Sequence, residues 1–394
     1  MPFKTYDRWL LTTALLLMGF GTLMIYSSTA VLTPAKEKSI SEFHYFTNHL
    51  FTMMVSFAMM YAAYRLRPET LRKLAVPLLV LSLALLLLVF VPGMGVTAGK
   101  AKRWLRLWPS TFQPSELVKL AMVIFLARFM SGQGYRADRF YCFAVPVSVM
   151  LMFQCIFLLQ PDFGSTMTLG VLTLSMLYIS GIRMRYLLVL LALAVPVVIK
   201  LLQEPYRLAR ITAFLNPWEN ARGSGFQLVQ SFIALGSGGL TGVGLGNSRQ
   251  KLSFLPEVHT DFIFSMVGEE LGFITASAVV ALFAFMFLRG ILIADRNRNT
   301  GEMFVYYLAF GLSMMIAIQA LVNFFVVTGL APTKGLPLPF ISYGGSSLLV
   351  NMTAVGILLN LSRDGQEKKP QAVDRFKEAM RKKKARRAVY GEGI

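Results

Sequence analysis

Ionisable side chains are concentrated in residues 246–272 of a chain that is otherwise poor in charge. Asp261 lies there beside His259, where the polar stretch becomes apolar, and Glu257 precedes it by one helical turn. A carboxylate in this position can act as a general base. Helix N-capping by Asp261 or Thr260 explains the same residues. The stretch therefore predicts either a capped helix or a carboxylate base at a membrane–water boundary.

A second ionisable pair lies inside an apolar segment. Glu116 and Lys119 are spaced i, i+3, which places them on one face of a helix. Charged groups within a membrane span are costly, so they are usually paired or functional. The sequence leaves two interpretations open: a structural ion pair, or a charged pair that faces a cavity.

Two further segments carry cations suited to an anionic ligand. Residues 100–108 interleave basic side chains with tryptophans, as membrane-interface anchors do, but Arg103 could instead bind phosphate bidentately. Lys334 lies in a segment rich in proline and glycine, before residues 340–347 with Ser342. Small residues there allow close helix approach or direct backbone N–H groups at an anion. Both segments predict an anion-binding surface.

The glycine-rich stretch 236–246 is not predicted to be a nucleotide loop. It lacks the preceding strand and the following helix that a dinucleotide-binding turn requires, and we interpret it as a turn at the outer surface. The chain has three histidines and two cysteines, Cys142 and Cys155, without metal-ligand spacing. An all-protein metal site is therefore not expected.

The elements that position these residues are predicted to be membrane helices. Hydrophobic residues make up 55% of the 394 residues and the mean hydropathy is +0.57, values typical of polytopic membrane proteins. Ten apolar segments are long enough to cross a bilayer: 9–29, 46–64, 74–91, 114–131, 141–160, 163–181, 186–203, 262–288, 303–328 and 340–361. The fold class is thus predicted to be an all-α integral membrane protein with ten transmembrane helices.

Charge distribution predicts the orientation of these helices. The formal net charge is +19, and the basic residues punctuate the apolar segments rather than cluster on a soluble domain, so nucleic acid is not an expected partner. The positive-inside rule places both termini in the cytoplasm, with a large extracytoplasmic loop, residues 204–261, between helices 7 and 8. Residues 1–361 form the membrane domain. Residues 362–394 form a basic cytoplasmic tail, predicted to be disordered and attracted to anionic membrane lipids.

Motifs along residues 1–361 together resemble the SEDS family, the shape, elongation, division and sporulation proteins. They are Phe112-Gln-Pro-Ser-Glu116, Gln160-Pro-Asp-Phe-Gly164, Asn216-Pro-Trp218, Gly246-Asn-Ser248, Leu255-Pro-Glu-x-His-Thr-Asp-Phe-Ile-Phe264, Gly268-Glu-Glu-Leu-Gly272 and Leu338-Pro-Phe-Ile-Ser-Tyr-Gly-Gly-Ser-Ser347. Residues 246–252 and 332–335 resemble the division member more than the elongation member.

The resemblance implies a peptidoglycan glycosyltransferase that polymerises lipid II in the bacterial inner membrane, at the division site. It implies a class B penicillin-binding transpeptidase and other divisome membrane proteins as partners. Asp261 would be the essential catalytic residue, an aspartate. The substrate-binding residues would be Arg103, Lys334, Glu116, Lys119, Glu257, His259 and Ser342. No tightly bound cofactor is expected, although a Mg²⁺ or Mn²⁺ ion bridging Asp261 and a pyrophosphate is an open alternative. A lipid II flippase, an elongation-type polymerase and a non-catalytic scaffold are the competing functions.

Overall fold

The computed structural model describes residues 6–29, 44–98, 101–107, 110–250 and 259–363. Beyond Arg363, the predicted basic tail lies outside these residues. Twelve helices are present in the described part of the chain: α1 Arg8–Thr29, α2 His44–Arg65, α3 Pro68–Leu88, α4 Pro114–Met130, α5 Phe140–Leu159, α6 Phe163–Ile179, α7 Met184–Leu202, α8 Pro205–Leu215, α9 Phe226–Gly238, α10 Ile263–Asn299, α11 Met303–Val327 and α12 Gly345–Arg363. The strands are β1 Gly95–Ala98, β2 Ala101–Leu107 and β3 Ser110–Phe112.

The helices confirm a multi-pass membrane protein. Among the described residues, six helices are long and apolar enough to cross a bilayer, namely α1, α3, α5, α10, α11 and α12, and α6 is a shorter apolar helix. Helices α8 and α9 lie within residues 204–261, which the sequence predicted as one large loop. The count of ten crossings stays a prediction.

Helices α4, α11 and α12 form the centre of the bundle, where buried residues cover most of their surfaces. Helix α11 packs against α10, α4 and α6, and α10 packs in addition against α1 and α9. The polar residues on these central helices are therefore held among apolar side chains, away from the lipid-facing surface.

Residues 92–113 differ from the predicted connection, because they contain a three-stranded antiparallel sheet in the order β1-β2-β3. Leu105 of β2 pairs with Gly95 on one side and with Phe112 on the other. Side chains alternate between the two faces of a strand. This alternation is broken at Arg103: consecutive residues of β1, Val96 and Thr97, pair with Trp104 and Lys102, which leaves Arg103 as an extra, bulged residue in β2.

Helix α10 extends beyond the predicted segment 262–288 and ends at Asn299. The predicted segment stops just before Arg289, because hydropathy marks only the apolar part of a helix. In the structure, the Arg289 guanidinium pairs with the carboxylate of Asp7, with Nε at 3.1 Å from Oδ2, and Asp7 is buried. This ion pair links α10 to the start of α1.

Helix α10 is interrupted at Gly272, where φ is +75° and ψ is −179°. The glycine-rich stretch, predicted as an outer-surface turn, pairs with this interruption through its backbone. Four hydrogen bonds join the two segments: Val243 N–H to Glu269 O, Gly244 N–H to Glu270 O, Phe273 N–H to Gly239 O and Ile274 N–H to Leu240 O. The carbonyl and amide groups that the helix leaves unpaired at its break are thereby satisfied.

Replacing Gly272 by Ala should destabilise the protein. An added Cβ would lie 2.4 Å from the Gly242 nitrogen and from the Leu240 oxygen. The backbone angles there are also accessible almost only to glycine, at a cost of about 1–3 kcal/mol for other residues. We expect a lower melting temperature in detergent, measured by thermal unfolding. Gly236→Ala in α9 is the matched control, since its Cβ would contact nothing within 4 Å; equal melting temperatures for the two variants would contradict this account.

Candidate active site

A cavity of about 400 Å³ lies between the start of α6, the end of α11, α8 and the segment 331–335. Most of its wall is apolar, including Phe163, Met167 and Phe325. Among the described residues, four charged side chains line the wall, those of Arg103, Asp162, Arg210 and Lys334. The structure thus brings together the two cations that the sequence predicted from separate segments, Arg103 and Lys334.

Arg103 reaches the cavity from β2. Its Nε donates to the Gln160 carbonyl at 3.3 Å, its guanidinium also donates to the Pro161 carbonyl, and Nη1 lies 3.8 Å from Oδ1 of Asp162. Asp162 is buried and caps α6, since it accepts from the Ser165 N–H at 3.1 Å and from the Ser165 hydroxyl at 2.8 Å. These contacts fix the guanidinium at the mouth of the cavity.

Lys334 extends from the rigid segment between α11 and α12. Its ammonium lies 4.6 Å from the centre of the Phe163 ring, a cation–π arrangement, and 2.8 Å from Sδ of Met167. Burial lowers the pKa of Lys334 to about 8, with Asp162 acting to raise it and Arg210 to lower it. This lysine is therefore a cation whose charge is sensitive to pH in the mildly alkaline range.

Asp261 lies two residues before α10, whose N-cap is Phe262 without a side-chain capping bond. The capping interpretation of Asp261 or Thr260 stays a prediction. The Asn323 amide of α11 donates to the Asp261 carbonyl at 2.9 Å and to the Leu336 carbonyl at 2.8 Å. A Cβ on Gly335 would lie 2.7 Å from Oδ2 of Asp261, so only glycine allows this approach. The predicted base thus contacts the segment that carries Lys334 into the cavity wall.

His259 and Ser342 make contacts in the segment that leads into α12. The Tyr343 N–H donates to the His259 carbonyl at 2.9 Å, and the two rings meet edge to face with centres 5.9 Å apart. Ser342 is buried, and its hydroxyl accepts from the Leu338 N–H at 2.8 Å. Both residues shape the turn before α12, and their contact with substrate stays a prediction.

Glu116 and Lys119 form the predicted ion pair, with Nζ 2.8 Å from Oε1 and both side chains 2% exposed. Lys119 also donates to Oε1 of Gln319 at 3.1 Å, and the Gln319 amide donates to the Pro337 carbonyl and the Ser347 hydroxyl. The pair does not line the 400 Å³ cavity. Its enclosed geometry agrees with the structural interpretation, and a role in binding substrate stays a prediction.

Several residues of the site were not identified from the sequence. Asp162 was noted only as part of the motif 160–164 and was given no role in the site. Arg210, on α8, and the amides of Gln319 and Asn323, on α11, were missed because an arginine in a polar segment and amides within an apolar run carry no distinguishing signal. Glu257 lies outside the described residues. Within the described ranges, no group of three or more His, Cys, Asp or Glu side chains is placed to hold a metal ion.

A helical bundle with at least six helices long enough to cross a bilayer, and with a cationic cavity next to a carboxylate, places the chain among the polytopic integral membrane proteins. The model of the FtsW, RodA and SpoVE family of cell cycle proteins matches residues 7–367, and the chain belongs to this family. The predicted membership of the SEDS family is therefore confirmed.

Two relatives that are similar in sequence agree with the family. A probable peptidoglycan glycosyltransferase FtsW of Geobacter sulfurreducens (strain ATCC 51573 / DSM 12127 / PCA) is 43% identical over 361 residues, 91% of this chain and 95% of the relative. That of Coxiella burnetii is 39% identical over 362 residues, 91% of this chain and 96% of the relative.

Two solved chains share the fold. One belongs to work on the structural coordination of polymerization and crosslinking by a peptidoglycan synthase complex, with a TM-score of 0.76 at 28% identity over 92% of this chain and 99% of that chain. The other is the rod shape determining protein RodA of Thermus thermophilus, with a TM-score of 0.67 at 26% identity over the same shares.

Proposed function

We propose that this protein is a peptidoglycan glycosyltransferase that polymerises lipid II during septal cell-wall synthesis. The observation that carries the proposal is the contact between the Asp261 carboxylate and Gly335, next to the lysine that lines the cationic cavity with Arg103. The names of the relatives, which are FtsW proteins, support both the reaction and the division role.

The proposed reaction is an inverting sugar transfer. Asp261 in its ionised form removes the proton of the attacking sugar 4-hydroxyl. The oxygen forms a bond to the anomeric carbon of the second sugar as the bond from that carbon to the pyrophosphate breaks. The pyrophosphate departs as an anion, so it needs cations rather than a proton donor. Arg103 and Lys334 stabilise that developing charge, while the apolar wall of the cavity accommodates the adjoining part of the lipid.

The proposed topology puts this site outside the cytoplasm. Ten helices cross the inner membrane, α1–α7 and α10–α12, with both termini cytoplasmic and with α8 and α9 in the extracytoplasmic loop. The basic connections on the other side support this orientation. A site at the outer end of the bundle, next to this loop, is expected of a polymerase more than of a flippase, which needs access from both sides.

The proposed partner is a class B penicillin-binding transpeptidase within a set of division proteins. The likeness to a chain studied in a peptidoglycan synthase complex supports such an assembly. The proposal includes no tightly bound cofactor. If a Mg²⁺ or Mn²⁺ ion takes part, the Asp261 carboxylate would help to hold it, and the ion would supply positive charge to the leaving pyrophosphate. Polymerisation lost on chelation and restored by Mg²⁺ would support this role, and polymerisation unchanged by chelation would exclude it.

The direct test is synthesis of glycan strands from purified lipid II by the detergent-solubilised protein with its transpeptidase partner. We expect long strands from the wild type, and weaker turnover from Arg103→Ala and from Lys334→Ala. Arg67→Ala, between α2 and α3, is the control, since Arg67 is exposed and does not line the cavity. No strands from a folded wild-type complex would exclude the proposed activity.

The activity should decline as pH rises through about 8, the lowered pKa of Lys334. Only the protonated ammonium can stabilise the leaving pyrophosphate, and it loses its proton above that pH. Lys334→Arg should remove this decline, because a guanidinium stays charged. Asp162→Asn should move it to lower pH, because Asp162 raises the pKa of Lys334. The measurement is kcat/KM against pH, and an identical alkaline decline in Lys334→Arg would assign it to another group.

A further inference from the structure

Met167 is a cavity-wall side chain in direct contact with Lys334, the proposed leaving-group cation. It follows Phe163 by four residues, which places both side chains on one face of α6, and both line the cavity. The Lys334 ammonium lies 2.8 Å from the Met167 Sδ and 4.6 Å from the centre of the Phe163 ring. A thioether sulfur is only a weak hydrogen-bond acceptor, so it competes little with an anion for the ammonium.

The Met167 side chain is also accessible to a small reagent. It is 50% exposed, whereas Met122 and Met176 of the same bundle are fully buried. In the proposed topology the cavity lies outside the cytoplasm, in an environment more oxidising than the cytosol. Methionine is readily oxidised to its sulfoxide. An oxidant can therefore reach a sulfur atom that touches a cation of the site.

Oxidation would change the chemistry of this contact. Hydrogen peroxide transfers one oxygen atom to Sδ: the S–O bond forms as the O–O bond breaks, and water leaves. The sulfur is oxidised by two electrons and the peroxide is reduced by the same two. The new sulfoxide oxygen is a strong acceptor on an atom that already contacts Lys334. The ammonium would donate a charge-assisted hydrogen bond to it, and a polar group would stand in a mostly apolar wall.

We propose that Met167 is an oxidative modification site, at which a peroxide forms a sulfoxide that binds the Lys334 ammonium and keeps it from the leaving pyrophosphate. This inference rests on the proposed function for the role of Lys334. Polymerisation would slow when Met167 is oxidised. It would recover when a methionine sulfoxide reductase returns the thioether.

The test uses the full chain in complex with its transpeptidase partner, as wild type, Met167→Leu and Met94→Leu. Met94 is the matched control, since it is also 50% exposed but precedes β1 and does not line the cavity. Each protein is treated with hydrogen peroxide, and a portion is then treated with the reductase. Mass spectrometry of peptides measures the sulfoxide at each methionine, and strand synthesis from lipid II is compared with the untreated sample of the same variant.

The state of Lys334 is measured separately, by its rate of acylation with an amine reagent, because this rate does not depend on polymerisation. Only the deprotonated amine reacts, so a sulfoxide that binds the ammonium should slow the acylation. We expect peroxide to oxidise Met167 in the wild type, to slow Lys334 acylation and to lower polymerisation by about tenfold. The reductase should restore both. Met94→Leu should respond as the wild type does, whereas Met167→Leu should keep most of its own untreated activity.

Three results would overturn the inference. They are a Met167 that stays unoxidised while Met94 is oxidised, a wild type that keeps its activity with Met167 fully oxidised, and an equal loss of activity in Met167→Leu. Slower acylation of Lys334 that depends on Met167, in a protein that forms no strands, would instead sustain the modification site and reject the polymerase.

Discussion

Replacing Asp261 by Asn should reduce glycan polymerisation by about 10²–10⁴-fold, the usual contribution of a positioned general base. The amide has nearly the shape of the carboxylate but cannot take the proton of the attacking hydroxyl. The surrounding contacts should persist, because Asn323 bonds to the backbone carbonyl of Asp261 rather than to its side chain. We therefore expect a folded protein that still binds its transpeptidase partner.

The measurement is strand synthesis from purified lipid II, with melting temperature and partner binding recorded on the same preparations. Asp138→Asn supplies a matched control, since Asp138 is an exposed carboxylate between α4 and α5 that pairs with Arg136. We expect the control to polymerise as the wild type does. Activity near wild type in Asp261→Asn would show that Asp261 is not the general base.

Replacing Lys119 by Met should destabilise the protein by about 3–5 kcal/mol, the usual cost of breaking a buried ion pair. The Glu116 carboxylate would lose the ammonium at 2.8 Å, and its other oxygen, Oε2, has no hydrogen-bond partner in the described part of the structure. Gln319 would also lose the bond it accepts from Lys119. The double variant with Glu116→Gln and Lys119→Met should recover most of this stability, because it removes both charges together.

Thermal unfolding in detergent measures the stability of the three proteins, and strand synthesis distinguishes the two interpretations of the pair. We expect the double variant to retain most of the polymerisation activity, as a structural pair requires. A double variant that is stable but inactive would instead show that the charges act on substrate. A single variant as stable as the wild type would show that the ion pair contributes nothing to stability.

The sequence predicts the membrane helices well because hydropathy reports burial in lipid directly. It does not predict the backbone structure of the connections, nor where a helix continues past its apolar part or is interrupted. The polar end of α10, as far as Asn299, carries no apolar signal, and the sheet of residues 95–112 was hidden by alternation too short to distinguish from a loop. The break at Gly272 depends on pairing with residues 239–244, a partnership that no local pattern contains.

For the site, the predicted cations Arg103 and Lys334 do share one cavity. The sequence identified each from its own segment, basic residues among tryptophans and a lysine among prolines and glycines, but could not show that the two lie together. The predicted pair Glu116 and Lys119 forms as its spacing requires, but spacing cannot say whether a helix face meets a cavity or a neighbouring helix. Arg210 illustrates the remaining gap. An arginine in a long polar segment has no distinguishing neighbours, and only the folded chain places it beside Lys334.

Helix α11 holds the two halves of the site with one side chain, since the Asn323 amide bonds to the carbonyls of both Asp261 and Leu336. The spacing between Asp261, the proposed proton acceptor, and Lys334, the proposed leaving-group cation, is thus fixed by two hydrogen bonds to one side chain. When a change in membrane thickness shifts or tilts the helices, Asp261 and the segment that carries Lys334 should move together with α11. The reaction distance would then be insulated from the mechanical state of a bilayer that is being drawn inward at a constricting septum.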